Sequence, residues 1–456
     1  MNNEQLIMDI SDQSLFKKLK SDKAELIAKK KIMDKKDKHI YPISKIPFLI
    51  PKNWVWTYLS DISIIQEGPG IRKHQYQNDG VQFLTVTNIL EGSVDLEKSK
   101  KYISIDEYNE KYSHFTLNKG DIVTACSGGS WGKSAIYDYD NKIILNTSTL
   151  RLRFFNDLGS NKYLYYITKT DYFKKSLSSY STGQQPNYGY YHYSRIPIPL
   201  PPLSEQKRIV NILDKAFAEI AQAKANAEQN LKNAKELFES YLNGIFEKKG
   251  DDSASANASA DKWEEKTFEE LSSKIGDGLH GTPKYDESGE YFFINGNNLN
   301  DGKIEIKEDT KRINKEEFEK YKKTLTNNTV LISINGTLGK VAFYNNEPVI
   351  LGKSACYINF NDEVNKHYIK YLVKSPLFFK NMGNLSTGAT IKNFSLKSMR
   401  NYTLPLPSIT EQKQIVKKLD QLQAETKKLE LVYQQKLDNL EELKKSILQK
   451  AFNGEL

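Results

Sequence analysis

One stretch of this chain occurs twice, and the duplication limits what the chain can fold into more than any local propensity does. The first copy reads Ile198-Pro199-Leu200-Pro201-Pro202-Leu203-Ser204-Glu205-Gln206-Lys207 and enters a heptad-patterned tract ending near Phe246. The second reads Leu404-Pro405-Leu406-Pro407-Ser408-Ile409-Thr410-Glu411-Gln412-Lys413 and runs to Phe452. Glu205 and Glu411, Asp214 and Asp420, and Phe246 and Phe452 all stand at one offset of 206. A register kept over that length marks a tandem repeat of a whole structural unit.

Each copy carries helix-start signals. Proline cannot continue a helix, so the proline run imposes an extended approach. Ser204 and Thr410 are N-cap candidates, each followed by an acid suited to the positive end of the helix dipole. Behind them Ile209, Leu213, Ala216, Ile220, Ala223, Ala227, Ala234, Leu237 and Tyr241 recur at steps of four and three. Ile415, Leu419, Leu422, Leu429, Tyr433, Leu440, Leu443 and Ile447 do the same. That period is a coiled-coil seam. Small residues in the first tract face Leu and Tyr in the second, so the two suit one shared interface. Asn230 and Lys436 interrupt both seams at the same phase. The tracts run to roughly forty residues, against about a dozen for an ordinary core helix. Two unrelated amphipathic helices in separate cores are the alternative.

Upstream of each tract the halves can be walked together. Trp54, Leu59 and Ile62 answer Trp263, Phe268 and Leu271. Phe83, Asn88, Gly92 and Val94 answer Phe293, Asn298, Gly302 and Ile304 at an offset of 210. Gly132-Lys133 answers Gly339-Lys340, Ser148 answers Ser354, and Thr182-Gly183 answers Thr387-Gly388. Alternating runs at 82–87, 122–125 and 330–334 read as strands, and 105–112, 162–176, 315–322 and 366–374 as short helices. The expected fold class is α+β: two similar globular domains joined by two long antiparallel helices, a pseudo-two-fold internal repeat. The expected division is a lysine-rich helical segment at 1–46, a first domain at 47–200, a central helix at 201–247, a flexible linker at 248–262, a second domain at 263–406 and a distal helix at 407–456.

The formal charge of +9 suits a polyanionic partner, most obviously nucleic acid. Two distant cysteines, Cys126 and Cys356, imply neither a disulfide framework nor a thiolate metal site. No apolar run reaches membrane-spanning length and the start is polar, so the expected compartment is the cytoplasm. Gly132-Lys133-Ser134 and Gly352-Lys353-Ser354 fail as phosphate loops, because Ser127 and Glu347 stand where the first glycine belongs. The six histidines form no metal-binding pair. No Asn-Pro-Pro-Tyr-like methyltransferase motif, dinucleotide fingerprint or nuclease signature is present, so no catalytic centre and no metal is expected.

Polar loops are the better candidates. Arg72, Lys73, His74 and Gln75 lie in one, with His280, Lys284 and Tyr285 as the counterpart, although aligning Gly70 on Gly278 needs a gap. The glycine-rich loop with Ser130, Trp131 and Lys133 offers amide donors and a cation to a phosphate. Asn335 and Lys340 lie in the matching stretch. Gln184, Gln185 and Asn187 follow the first Thr-Gly turn, and Lys392 and Asn393 the second. Asn and Gln bond an adenine edge bidentately, and Arg or Lys a guanine edge. For each, an ordinary surface turn is the competing reading.

A globular unit, a Pro-Leu-Pro-Pro-Leu-Ser-Glu-Gln-Lys helix, a second unit and a second such helix together resemble the specificity subunit of type I restriction-modification enzymes. The resemblance covers nearly the whole chain and is most specific at 200–212, 406–416, the Trp-led domain starts and the Thr-Gly turns at 182–183 and 387–388. It implies that each domain is a target recognition domain reading half of a bipartite double-stranded DNA sequence. It implies that the antiparallel helices act as a coiled-coil spacer and dock two methyltransferase subunits, which bind S-adenosylmethionine and methylate adenine. Restriction (motor) subunits join them; this chain holds no cofactor and does no chemistry. Glu205, Gln206, Ile209, Glu411, Gln412 and Ile415, in the repeated motif, are the expected partner-docking residues. A self-contained DNA-modifying enzyme and a coiled-coil scaffold without a DNA role are the alternatives. Methyl transfer by the chain alone would favour the first, and failure to retard any duplex the second.

Overall fold

The computed structural model describes residues 18, 21–28, 47–155, 159–180, 186–247, 263–384 and 393–456. The expected linker at 248–262 lies outside them. Of the expected helical segment at 1–46, the helical stretch 21–28 is described. The chain forms two compact units, one of residues 1–226 with 437–456 and the other of residues 227–436. The division falls inside both long helices rather than at the linker.

In the first unit an antiparallel sheet runs in the order Ser63–Glu67, Thr149–Phe154, Ile122–Ala125, Ser134–Ile136. Beside it Val81–Phe83 pairs antiparallel with Tyr102–Ile103 and parallel with Ile143–Ile144. The second unit repeats this strand for strand. Ser272–Gly276, Ala355–Phe360, Thr329–Ser333 and Val341–Phe343 form the antiparallel sheet. Tyr291–Ile294 lies between Arg312–Ile313 and its parallel neighbour Val349–Leu351. Alternation sets the faces. In Thr149–Phe154, Leu150, Leu152 and Phe154 enter the core, while Arg151 and Arg153 converge on the buried Asp121 at 3.5 and 2.7 Å. Burial raises the Asp121 pKa and lowers that of Arg151, and each cation partly offsets the cost of burying the other charge.

The duplicated asparagines explain the constant offset. Asn88 and Asn298 each accept from the backbone N–H three residues earlier, at Thr85 and Asn295, and donate to the carbonyl seven residues later, at Asp95 and Glu305. Gly92 and Gly302 follow with φ of 96° and 94°, a left-handed turn that a side chain would strain.

The proline runs are strands. Pro197–Leu200 pairs with Val55–Tyr58, and Thr403–Leu406 with Glu264–Thr267. Both are two-stranded edge ribbons, where a missing N–H is tolerated. The long helices follow at Leu203–Glu247 and Ile409–Asn453. Their first turns start earlier than Ser204 and Thr410: Ser408 Oγ accepts from Glu411 N, and Pro202 O from Glu205 N.

Within each unit the two helix segments run antiparallel. In the first, Arg208 donates to the Leu456 carbonyl, Lys224 pairs with Glu441 at 2.7 Å, and the Lys444 ammonium sits over the Phe217 ring. In the second, Leu242 and Phe246 share a core with Val416 and Leu419. Phe452 packs on Tyr163 and Phe246 on Tyr368, with ring centres 5.2 and 5.3 Å apart. The seam is narrower than expected. Ala227, Ala234 and Leu419 are buried, whereas Leu237, Tyr241, Leu429 and Leu443 are 41–56% exposed. A pair of helices covers only one stripe of each, and residues on the flank of that stripe stay outside it.

Candidate nucleic-acid interface

Each unit contains a groove, and the two grooves are built on one frame. In the first, Cys126 N donates to Ser148 O and Cys126 O accepts from Tyr188 N; in the second, Ile334 takes the same role toward Ser354 O and Phe394 N. Ser127 bridges to Asn187, and Asn335 to Asn393. Both grooves therefore lie where sequence-distant segments meet: the loop after Ser63–Glu67 or Ser272–Gly276, the turn between Ile143–Ile144 and Thr149–Phe154 or between Val349–Leu351 and Ala355–Phe360, and the segment that follows the Thr-Gly turn. The first groove holds about 380 Å³ and is lined by Glu67, Gly70, Thr147, Ser148, Asn187 and Tyr191 among others. The second holds about 400 Å³, between His280, Thr282, Asn295, Asn335, Lys353 and Ser354.

Strand register corrects one alignment. Ile65 pairs with Leu152 and Ile275 with Ile358, while Ile122 and Val330 mark Leu152 and Ile358 as counterparts. Gly68 therefore answers Gly278 at the offset of 210, and the loops align without a gap. Both glycines are needed for close approach: a Cβ would stand 2.2 Å from Asn146 O in one case and 2.0 Å from Leu351 O in the other.

The sequence-predicted residues divide accordingly. Arg72, Lys73 and His74 are exposed on the 70–76 loop. Gln75 is turned inward and its amide donates to Glu107 Oε1 and Tyr112 Oη while its oxygen accepts from Arg72 N, so it shapes the loop. Trp131 is half-buried and packs on Tyr188 at 5.1 Å against the edge of the core, so much of its indole is engaged in packing. Ser130 and Lys133 close that loop through a backbone bond of 3.2 Å. A Cβ at Gly128, Gly129 or Gly336 would meet open space, so loops 128–132 and 336–339 let another molecule approach the backbone. The Lys340 ammonium has no side-chain bond among the described residues, and the Lys340 carbonyl accepts from Ser333 N. Asn187 is exposed and lines the first groove, and Asn393 is exposed and bridged to Asn335 of the second. Gln184, Gln185 and Lys392 lie outside the described residues.

His280 and Asn335 do come together in the second groove, with Asp277 accepting from His280 Nε2 at 2.7 Å. Lys284 and Tyr285 are exposed farther along the loop, the Tyr285 ring 5.8 Å from the Lys311 ammonium. Thr282, Asn295 and Lys353 also line the second groove and were not among the residues singled out from the sequence. Nor was Tyr191, 64% exposed with the Arg195 guanidinium over its ring.

The motif residues expected at a docking face are mostly turned inward. Gln206 is fully buried, donating to Pro201 O and accepting from Ser160 N, each at 2.9 Å. Gln412 donates to Pro407 O and Glu363 O and accepts from Asn365 N. Ile209 is fully buried in the first core, and Ile415 packs against the second. Buried side chains with these bonds tie each helix to its own domain, as do Tyr166 to Asp214 and Tyr371 to Asp420. Glu411 accepts from the Trp263 indole, and Glu205 from Arg208, whose guanidinium holds its carboxyl below the usual range. Among the described residues no group of three His, Cys, Asp or Glu is placed to hold a metal ion, and no helix is long and apolar enough to cross a membrane.

A family model described as the type I restriction modification DNA specificity domain matches residues 51–232 and again 260–441. The chain is 26% identical over 432 residues to the StySPI specificity subunit of Salmonella potsdam, covering 89% of this chain and 90% of that one. It is 25% identical over 431 residues to the EcoKI specificity subunit of Escherichia coli K12, again covering 89% and 90%. Two solved structures share the fold. A chain from a study of type I R-M complex assembly aligns with TM-score 0.69 at 20% identity, over 90% of this chain and all of that one. The HsdS subunit of Thermoanaerobacter tengcongensis aligns with TM-score 0.58 at 19% identity, over 90% and 99%.

Proposed function

We propose a mode of action for a chain that belongs to the type I restriction-modification DNA specificity family. It is a specificity subunit: each globular domain reads one half of a bipartite DNA target, and the long helices set the spacing between the halves. The observation that carries this reading is the pair of grooves on one repeated frame, lined by different side chains at equivalent positions. One frame with two linings suits two different half-sites on one duplex. A 45-residue helix is roughly 68 Å long at 1.5 Å per residue. That exceeds the roughly 34 Å of one duplex turn.

The chain selects sequence and leaves methyl transfer and cleavage to others, namely two methyltransferase subunits carrying S-adenosylmethionine and the restriction subunits. Leu237, Tyr241, Leu429, Leu431 and Val432 support docking on the helices, because large apolar side chains left exposed along a rod commonly mark a protein contact. They replace the inward-turned Gln206, Ile209 and Gln412 in that role. Methyl transfer by the purified chain alone, with labelled S-adenosylmethionine and duplex DNA, is expected to be nil; measurable transfer overturns this division of labour.

Arg72 and Lys284 are assigned to phosphates beside the two grooves. Arg72→Ala or Lys284→Ala is expected to weaken retardation of the cognate duplex by several-fold without changing the preferred sequence. The slope of log affinity against log salt should become shallower by about one. Unchanged affinity across the salt series removes these loops from the interface.

A further inference from the structure

The two grooves differ in charge at one pair of equivalent positions, Thr147 and Lys353, each immediately before the paired serines Ser148 and Ser354. Thr147 is engaged: its hydroxyl lies 3.1 Å from Pro69 O and 3.4 Å from Asn146 Oδ1. Lys353 is exposed on the wall of the second groove, and no acidic side chain among the described residues pairs with its ammonium. Its backbone, by contrast, is fixed. Lys353 N donates to Leu279 O, and Leu279 N to Leu351 O. At Gly278 and Gly352 the neighbouring groups come so close that any Cβ would collide, with Leu351 O and Asn295 Oδ1 respectively. Ser354 Oγ donates to Asn295 Oδ1 and accepts from Gly296 N, which pins the next residue as well. A cation with no acidic partner among the described residues, projecting from a rigid backbone into a groove that also presents Asn295, Asn335 and Ser354, is arranged for an external acceptor.

Resting on the reading above, we propose that Lys353 is a specificity-determining residue of the second domain, donating to the O6 and N7 acceptors of a guanine in that half-site. A lysine on the rim would serve a phosphate equally well; one on the groove wall, beside Asn335 and Asn295, sits among groups that suit a base edge. The first domain, with Thr147 in that place, reads its corresponding position without a cation.

The test is selection from a randomised duplex library by the full chain with its methyltransferase partners, followed by sequencing of retained DNA. The wild type is expected to enrich a guanine at one position of one half-site. Lys353→Thr, the residue of the equivalent position, should lose that preference by about ten-fold while every other position is kept. The reciprocal Thr147→Lys should add a guanine preference to the other half-site. Lys353→Thr lowering affinity for all sequences alike, or leaving both affinity and motif unchanged, overturns the assignment. A wild type that enriches no sequence at all would instead sink the DNA-reading function itself, so the two failures are distinguishable. Because Lys353 is exposed, an unchanged melting curve separates either result from misfolding.

Discussion

Gln206→Ala is expected to lower the unfolding midpoint of the first unit by roughly 5–15 °C, at about 2–4 °C per kcal/mol for a unit of this size. Alanine would leave Ser160 N and Pro201 O without the partners they have in the folded state. Each buried polar group left unpaired costs about 1–3 kcal/mol. Gln412→Ala should do at least as much in the second unit, because that side chain serves three backbone groups. The two losses should appear in separate transitions, since the residues lie in different units. Calorimetry of the single and double variants decides it. A drop of only a degree or two would mean that water replaces the amide, and that the glutamines are not what ties helix to domain.

The second large effect concerns spacing. Seven residues inserted in each long helix, after Asn226 and after Lys436, keep the heptad phase and the antiparallel pairing of the flanking segments. They add roughly 10 Å to the rod between the units. The preferred spacer should lengthen by about three base pairs at about 3.4 Å each, with both half-sites unchanged. Insertion in one helix alone shifts contacts such as Lys224 to Glu441 out of register and should weaken binding instead. If modified sites mapped in a host carrying the matched variant kept the original spacer, the helices would not be the ruler.

Much of this architecture was legible because its signals are local and duplicated. The offset of 206 placed Asp214 and Asp420 together in the repeat, and the structure gives each a tyrosine partner of its own domain, Tyr166 and Tyr371. The offset of 210 was readable at Asn88 and Asn298, whose bonds are made within 12 residues. The grooves were harder. Asn295 reaches the 352–354 turn because Tyr291–Ile294 pairs with Val349–Leu351, and His280 joins them because Gly278 allows the Leu279 backbone to lie against Gly352, a contact across more than seventy residues that no periodicity announces. Matching loops by their glycines set Gly70 against Gly278; only strand pairing puts Gly68 there. Gln206, Ile209 and Gln412 misled for a related reason. A repeated motif on a helix surface reads as a docking face, but repetition equally preserves the bonds each copy makes to its own domain.

Leu448, Ala451 and Phe452 belong to the same core as Trp54, Tyr163 and Leu200. On the ribosome the first domain must therefore wait for its lid. At 5–20 residues per second, the stretch from Leu200 to Leu448 takes roughly 12–50 s to synthesise. Throughout that interval the nascent domain lacks the side chains that cover its apolar face around Tyr163, so its core closes only after the second domain has been made.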